Sequence, residues 1–217
     1  TLTLLAPLMV LGLELGLSRF VAAQEDIVQI REQFSSVLVF VFVWSCMGAI
    51  PVYLGSEPIS EQFFGGIANR GIVQIIAGTL PLWAVNIICL NLFRARRSIG
   101  KYALFYTIEH LLELLLVTGT VVMQLGIQAA LKGLFLSRLV TLILLLGTIL
   151  REIGIGIPRF EYLLEYLKFS LPLVPSNLSW RIATISDRYI LALFLGLAPV
   201  GIYTAAYHVS NLLLLLF

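Results

Sequence analysis

Long runs of apolar residues constrain this sequence more than any other feature. They are close to 20 residues long, which is the length that an α-helix needs to cross about 30 Å of hydrocarbon. Transmembrane β-strands would instead show short segments in which apolar and polar residues alternate, and these runs do not alternate. The sequence therefore predicts an all-α polytopic membrane protein.

The composition favours the same class. Hydrophobic residues make up 59% of the chain and charged residues 12%, whereas about 25% of a soluble protein is charged. The formal net charge of +2 is small, and we expect the lipid bilayer, and no nucleic acid, as a partner. Cys46 and Cys89 both lie within apolar runs, so we expect them to pack and to form neither a disulfide nor a metal site.

The apolar runs predict six complete membrane spans and part of a seventh. The first run begins at residue 1 without a starting Met, and the sequence ends inside another run. We therefore interpret residues 1–217 as an internal fragment of a single membrane transport domain. The predicted spans are 1–22, 34–54, 67–92, 102–125, 129–150 and 169–195, with a cut seventh span at 199–217.

Basic residues predict the orientation, because Lys and Arg are enriched in cytoplasmic connections. The opposite connections lack basic residues, and only Lys132 lies just beyond one of them. The loop RARRSIGK (94–101) is thus predicted to be cytoplasmic, and GSEPISEQFF (55–64) to face outside. The basic residues of the cytoplasmic set are Arg19, Arg31, Arg94, Arg96, Arg97, Lys101, Arg151, Arg159 and Lys168.

A short amphipathic helix is predicted for PRFEYLLEYLKF (158–169). Its apolar residues recur at helical spacing, which is typical of a helix that lies in the membrane interface. We expect this helix to precede the span at 169–195. The expected apolar face consists of Phe160, Leu163, Leu164 and Leu167.

The segment SNLSWRIATISDRYILALFLG (176–196) is nearly long enough to cross a bilayer, yet it carries three charges. At 100° per residue its polar residues align on one narrow helix face. Asp187 lies at the edge of that face, where an ion pair with Arg188 would position the arginine. The members of the face are Ser170, Asn177, Arg181, Thr184 and Arg188.

An arginine at the centre of a membrane helix costs about 2.5–3.5 kcal/mol on insertion scales. We therefore expect Arg181 and Arg188 to face a water-filled cavity or a partner. Pro172 and Pro175 stand at the start of this span and predict a break in the helix there. Broken helices at membrane depth are typical of cavities and binding sites in transporters.

A second polar face is predicted in span 102–125. Glu109 and Glu113 lie one turn apart, and Arg138 in the next span could pair with either of them. His110 lies about 100° away, and we expect it either to pack or bond within its helix or to relay protons. The other members of the face are Tyr102, Tyr106, Thr120 and Gln124.

Two more charged residues stand in or near spans. Glu14 aligns with Thr3, Pro7 and Ser18 on one helix face of the first span, and it is a candidate for ion coupling. Arg70 lies one turn before Gln74, where it either snorkels to the interface or contributes to a cavity.

Sequence motifs of common enzyme classes are absent. The chain has no GxxxxGK[ST] phosphate loop, no HExxH zinc motif, no GxSxG nucleophile elbow and no GxGxxG. We predict that the chain is not an enzyme and needs no cofactor or metal.

The segment KFSLPLVPSNLSWRIATISDRYILALFLGLAPVGIYTAAYHVSNLL (168–213) resembles the central signature of bacterial polysaccharide exporters. These are the oligosaccharide-lipid flippases of the multidrug/oligosaccharidyl-lipid/polysaccharide superfamily. ELGLSRFVA (14–22) and LNLFRARRSIGKYA (90–103) are similar to further elements of that family. The chain departs from the family where Trp180, Arg181 and Ala192 often correspond to Gly.

The resemblance implies that these spans correspond to the second through eighth helices of a two-lobed exporter, and so to most of one lobe. It also implies a multi-pass protein of the bacterial cytoplasmic (inner) membrane that acts in the biosynthesis of lipopolysaccharide or another cell-envelope glycan. The substrate would be a polyprenyl-diphosphate-linked oligosaccharide held between the lobes, with a coupling cation as a second partner.

We expect a cavity in which Arg181, Arg188 and Arg70 attract the diphosphate, because arginine donates two hydrogen bonds at once. Asn177, Thr184 and Tyr203 would meet the sugar hydroxyls.

Two alternatives stay open. A cation-coupled multidrug exporter of the same superfamily would use Glu14, Glu109, Glu113 and His110. A membrane-embedded glycosyltransferase or polymerase acting on lipid-linked sugars would usually need a larger external loop than residues 55–66.

Overall fold

The computed structural model describes residues 8–64, 66, 69–154 and 156–214. Within these ranges the regular elements are helices, which agrees with the predicted all-α class. The helices are α1 Leu13–Ala22, α2 Ile27–Leu54, α3 Ser56–Phe64, α4 Arg70–Ala95, α5 Ile99–Val122, α6 Gly126–Glu152, α7 Glu161–Ser170, α8 Leu173–Leu195 and α9 Leu197–Leu214.

Four helices are long and apolar enough to cross a membrane, namely α2, α4, α5 and α6. These four match the predicted spans 34–54, 67–92, 102–125 and 129–150, although residues 67 and 68 lie outside the described part. The count of six spans and a cut seventh is not confirmed. Helix α8 has 23 residues but carries three charges, so its crossing stays a prediction.

The first predicted span, 1–22, is not one uninterrupted helix. Residues 1–7 lie outside the described part, and Leu11 and Gly12 have left-handed backbone angles, with φ of 52° and 70°. Helix α1 therefore begins at Leu13. The sequence pattern could not indicate this break, because a leucine in the left-handed region is uncommon.

Helix α2 begins earlier than the predicted boundary at residue 34. The Asp26 carboxylate accepts a hydrogen bond of 2.9 Å from the backbone N–H of Val28, so that it caps the helix before Ile27. The predicted outer connection 55–64 contains a short helix, α3, over Ser56–Phe64. Helix α2 begins before the apolar run because its first turns, IVQIREQ (27–33), contain several polar residues. A boundary drawn at the start of the apolar run therefore misses them.

The chain divides into two compact units, Thr1–Val174 and Pro175–Phe217. In the first unit α4 is the central helix and packs against α1, α2, α3, α5 and α6. Its apolar stretch is 61% buried, whereas those of α2, α5 and α6 are 11–28% buried. Helix α4 therefore supplies the core, and the exposed apolar faces of its neighbours are available to hydrocarbon.

Ion pairs join helix ends in the first unit. Glu152 at the end of α6 pairs with Arg96 after α4 at 3.3 Å, and with Lys101 in α5 at 2.5 Å. The Arg159 Nε atom lies 3.4 Å from the Glu32 carboxylate in α2. The predicted cytoplasmic connections thus gather at one end of this unit, as antiparallel neighbouring helices require.

Helix α7 confirms the predicted short helix, but its buried face differs from the expected one. Leu163 and Tyr166 are buried, whereas Phe160 and Leu164 are 55% and 60% exposed. The Tyr166 hydroxyl donates a 3.0 Å hydrogen bond to Gln33 of α2, and burial raises the pKa of this phenol. Helix α7 therefore packs on α1 and α2 through one face and leaves apolar side chains exposed on another.

Ser170 does not belong to the polar face predicted for residues 170–188. It is the last residue of α7 and is fully buried. A turn separates it from α8, which begins at Leu173. A Cβ atom placed on Gly16 would lie 2.6 Å from the Ser170 hydroxyl, so α1 and α7 approach each other closely there. The break before Leu173 agrees with the one that the two prolines predict.

Helices α5 and α6 cross closely at Gly133. A Cβ atom added there would lie 3.2 Å from the carbonyl oxygen of Leu116 in α5, and small residues allow such approach between membrane helices. We predict that Gly133→Val lowers the free energy of unfolding by about 1–3 kcal/mol, the usual cost of overpacking. Denaturant unfolding of the purified protein measures this change.

The matched control is Gly147→Val on the same helix, where a Cβ atom meets nothing within 4 Å. Its stability should stay within about 0.5 kcal/mol of the original protein, as for substitutions away from close contacts. Equal losses at both positions would contradict the close crossing.

Candidate functional site

Helix α8 carries the predicted polar face of the second unit. Asn177, Arg181, Thr184, Asp187 and Arg188 are all half-buried in the structure, although the helix is otherwise largely exposed and apolar. The face therefore exists as predicted from residue 177 onward. Partial burial of both arginines is consistent with side chains that lie along the unit's own surface.

Asp187 is held by the next helix. Its Oδ2 atom accepts a 2.5 Å hydrogen bond from the Tyr203 hydroxyl of α9. Within the described residues Asp187 forms no ion pair with Arg188, so the expected pairing is wrong. Adjacent residues on a helix point about 100° apart, and Asp187 consequently reaches α9 more easily than its neighbour.

Arg188 is positioned by an aromatic ring and not by a carboxylate. The centre of its guanidinium group lies 4.8 Å from the centroid of the Tyr207 ring, which is within the range of a cation–π contact. The Tyr203 and Tyr207 rings stack at 6.2 Å. One tyrosine of this pair therefore fixes Asp187, and the other supports Arg188.

The polar face keeps unused hydrogen-bonding atoms. The Arg188 Nε atom and the Asp187 Oδ1 atom are shielded from solvent and have no hydrogen-bond partner in the described part of the chain. Among the described residues, Arg181 and Asn177 also form no side-chain hydrogen bond. Thr184 differs, because its hydroxyl donates 2.7 Å to the Trp180 carbonyl oxygen. Arg181, Asn177 and the Nη atoms of Arg188 are thus the groups best able to bind a further polar molecule.

The second predicted face forms a buried charge cluster in the first unit. Arg138 of α6 pairs with both Glu109 and Glu113 of α5, and its Nη2 atom lies 3.0 Å from Glu113 Oε2. Glu109 is 1% exposed. The Asn86 amide of α4 donates 3.0 Å to the Arg138 carbonyl oxygen. Arg138 therefore pairs with both candidates, and three helices meet at this residue.

His110 and Glu14 do not join this cluster. The His110 Nδ1 atom lies 2.8 Å from the Tyr106 carbonyl oxygen, and the two rings are 4.2 Å apart. This contact agrees with the interpretation of His110 as a helix-bonding residue, and its role as a proton relay stays a prediction. Glu14 is half-buried in α1, and the Ser18 hydroxyl donates to its backbone carbonyl oxygen.

Arg70 lies at the first turn of α4 and pairs with Glu57 of α3 at 2.7 Å. Both side chains are more than half exposed, so this arginine needs no cavity to be solvated. The structure places it in the first unit, where its partner is Glu57.

Sequence reasoning missed Tyr207 and Asn86. Tyr207 stands four residues after Tyr203, and this spacing could have indicated that both rings share a face of α9. Asn86 is a single polar residue in a buried helix, and a contact to another helix leaves no trace in local periodicity.

A family model described as polysaccharide biosynthesis protein matches residues 1–217. Among solved structures, the chain is similar to one described as the outward-facing conformation of a multidrug resistance MATE family transporter of the MOP superfamily, with a TM-score of 0.62 and 19% sequence identity. This match covers 97% of the chain and 50% of the transporter chain, so the present chain spans about half of that length. No curated protein matches the chain significantly.

The matches confirm the resemblance drawn from the sequence. At 19% identity the structural similarity shows the fold alone, and the four long apolar helices agree with it. Together they support a multi-pass membrane protein with a transporter fold. The absence of enzymatic activity is consistent with this fold and stays a prediction.

The buried charge cluster should control stability. We predict that Arg138→Gln lowers the free energy of unfolding by about 3–5 kcal/mol at neutral pH, because it leaves Glu109 and Glu113 without a cation. Unfolding of the purified protein in detergent with increasing denaturant measures the loss.

The control breaks an exposed pair. Glu57→Gln removes the partner of Arg70, and exposed ion pairs contribute at most about 1 kcal/mol. A loss for Arg138→Gln no larger than that for Glu57→Gln would contradict the importance of the buried cluster.

Proposed function

Because the chain belongs to the polysaccharide biosynthesis protein family, we propose that the protein exports a lipid-linked oligosaccharide across a membrane. The substrate is a polyprenyl-diphosphate-linked oligosaccharide, and the membrane is the bacterial cytoplasmic membrane. The product serves a surface polysaccharide such as lipopolysaccharide. The similarity in fold to a transporter supports movement by alternating access, in which two lobes rock about a central site.

The proposal is supported mainly by the two arginines of α8, Arg181 and Arg188, which form no ion pair with a described carboxylate. The guanidinium group of Arg188 is supported by the Tyr207 ring, and Arg181 lies two turns earlier on the same face. Arginine inside an apolar span costs about 2.5–3.5 kcal/mol, so a face that keeps two of them without a carboxylate partner among the described residues suits an anionic ligand.

A diphosphate fits these groups better than other anions of the cell envelope. Its oxygens are arranged so that each planar guanidinium can donate two parallel hydrogen bonds. The Tyr207 ring restricts the orientation of Arg188 in advance, which lowers the entropy lost on binding. The polyprenyl tail remains in hydrocarbon, so only the charged head group needs polar partners.

The remaining predicted residues take narrower roles. Asn177 is free to bind a sugar hydroxyl, whereas Thr184 and Tyr203 are already engaged by Trp180 and Asp187. Tyr203 and Asp187 therefore fix the geometry of the face more than they contact substrate. Arg70 can bind the diphosphate only after its ion pair with Glu57 breaks.

Removing both positive charges should abolish export. We predict that Arg181→Gln together with Arg188→Gln eliminates surface polysaccharide in cells that lack any other copy of the exporter. Each charge-assisted hydrogen bond contributes about 1.5–3 kcal/mol, so each single variant should weaken diphosphate binding about 10- to 100-fold. Surface glycan staining and flipping of a polyprenyl-diphosphate oligosaccharide in proteoliposomes measure the two effects.

Two matched variants define the role of the arginines. Lys132→Gln removes a single exposed charge near one end of α6 and should leave export unchanged. Arg188→Lys keeps the charge but loses the planar group, and should export less than the original protein. Normal export by the double glutamine variant, or efflux of a cationic dye without flipping of the glycan lipid, would reject the proposed substrate in favour of a multidrug exporter.

A further inference from the structure

The end of α4 carries an arginine at a position where such a helix end usually has glycine. The backbone N–H of Ser98 donates to the Phe93 carbonyl oxygen at 2.9 Å, and that of Arg97 donates to the Arg94 carbonyl oxygen at 3.0 Å. These two hydrogen bonds define a Schellman motif, in which the residue after the C-cap adopts the left-handed conformation. Arg97 occupies this position with a φ of 57°.

This backbone conformation is unfavourable for arginine. Glycine adopts it without steric cost, whereas the Cβ atom of any other residue comes close to the backbone carbonyl oxygen. The Arg97 side chain is exposed, and within the described part of the chain it forms no ion pair. The guanidinium therefore stabilises no described contact, and a strained residue of this kind is typical of a functional position.

Arg97 belongs to a basic surface at one end of the first unit, which we call the basic rim. Glu152 at the end of α6 pairs with Arg96 at 3.3 Å and with Lys101 at 2.5 Å. These ion pairs hold the end of α6 against the connection between α4 and α5. The members of the basic rim are Arg94, Arg96, Arg97, Lys101 and Arg151.

The basic rim keeps an excess of positive charge. Among the described residues, Glu152 is the one carboxylate that pairs with a member of the rim. Arg94, Arg97 and Arg151 are exposed and form no ion pair there. Three guanidinium groups are thus available to an anion.

Exposed apolar side chains border the basic rim. Ile99 and Leu104 of α5 are 58% and 56% exposed, and Leu150 of α6 is 48% exposed. Both helices are long and apolar enough to cross a membrane, so these side chains suit hydrocarbon. A molecule that covers this surface therefore meets positive charge next to apolar side chains.

An anionic phospholipid combines both complementary features. Its phosphate can accept two parallel hydrogen bonds from a planar guanidinium, and its acyl chains can lie along the apolar side chains. Basic residues just beyond the ends of membrane helices are attracted to anionic lipids. A free phosphate ion or a soluble acidic protein would use the charges and leave the apolar surface uncovered.

We propose that the basic rim binds the head group of an anionic phospholipid and that Arg97 is a central contact. Arg94, Arg97 and Arg151 contact the phosphate, while Arg96 and Lys101 stay paired with Glu152. The acyl chains lie along the exposed apolar residues of α5 and α6. The site belongs to the first unit, so it does not depend on the substrate proposed for the arginines of α8.

Native mass spectrometry of the intact protein in detergent tests the site by titration with phosphatidylglycerol and with phosphatidylcholine. The original protein should bind phosphatidylglycerol at least about tenfold more tightly than phosphatidylcholine. One basic residue near an anionic lipid surface contributes about fivefold in affinity. Arg97→Gly should therefore reduce the preference about fivefold. Arg97→Lys keeps the charge without the planar group, and its preference should fall between the two.

Arg97→Gly also separates lipid binding from folding. Because glycine favours this backbone conformation, the variant should unfold at the same denaturant concentration as the original protein or at a higher one. A loss of lipid preference then has no origin in a damaged fold. Unfolding of Arg97→Gly at a clearly lower concentration would mean that the arginine supports the chain itself, and would overturn the inference.

The matched control is Gln124→Gly at the other end of α5. Gln124 has a φ of 53° in the same motif, where the Leu125 N–H donates to the Thr120 carbonyl oxygen at 3.0 Å. The next basic residue in the sequence is Lys132. This variant should be as stable as the original protein or more so, and it should keep the full lipid preference.

Three results would overturn the inference. The first is an equal loss of lipid preference in Arg97→Gly and Gln124→Gly. The second is equal binding of phosphatidylglycerol and phosphatidylcholine by the original protein. The third is displacement of phosphatidylglycerol by inorganic phosphate beyond that caused by sodium chloride of equal ionic strength, which would assign the rim to a free phosphate.

Discussion

A charged side chain on an apolar helix costs free energy unless it has a partner, and this cost governs both polar clusters of the chain. In α5 and α6 that cost is met by contact, because Arg138 pairs with two glutamates and Asn86 binds its backbone. In α8 it is met differently, since Arg188 lies against an aromatic ring and keeps a free donor. The first arrangement is closed within the described chain, and the second keeps donors that have no partner among the described residues.

This contrast separates a face that keeps unused donors from a cluster whose charges are paired. The open face of α8 presents positive charge and rigid aromatic support, which suits an anionic head group. The closed cluster holds Arg138 between two carboxylates, which suits a structural role in the packing of α5 against α6.

The central position of α4 connects the helices of the first unit. It packs against the partners that carry the charge cluster as well as against α1 and α2. The close crossing at Gly133 sets the distance between α5 and α6, so it also determines whether Arg138 can reach both carboxylates. Helix packing and the charge cluster in this unit therefore depend on each other.

The sequence by itself determined the helical class, four membrane-length helices, the family and the polar face from Asn177 to Arg188. Apolar length and helical periodicity are local properties, so they are visible in the order of residues. Only the tertiary structure decided the polar contacts: Arg138 pairs with both glutamates, and Asp187 accepts a hydrogen bond from Tyr203. It also decided that Ser170 is buried in α7, away from the polar face. Those contacts join different helices, and their geometry depends on packing distances and helix breaks that no local pattern encodes.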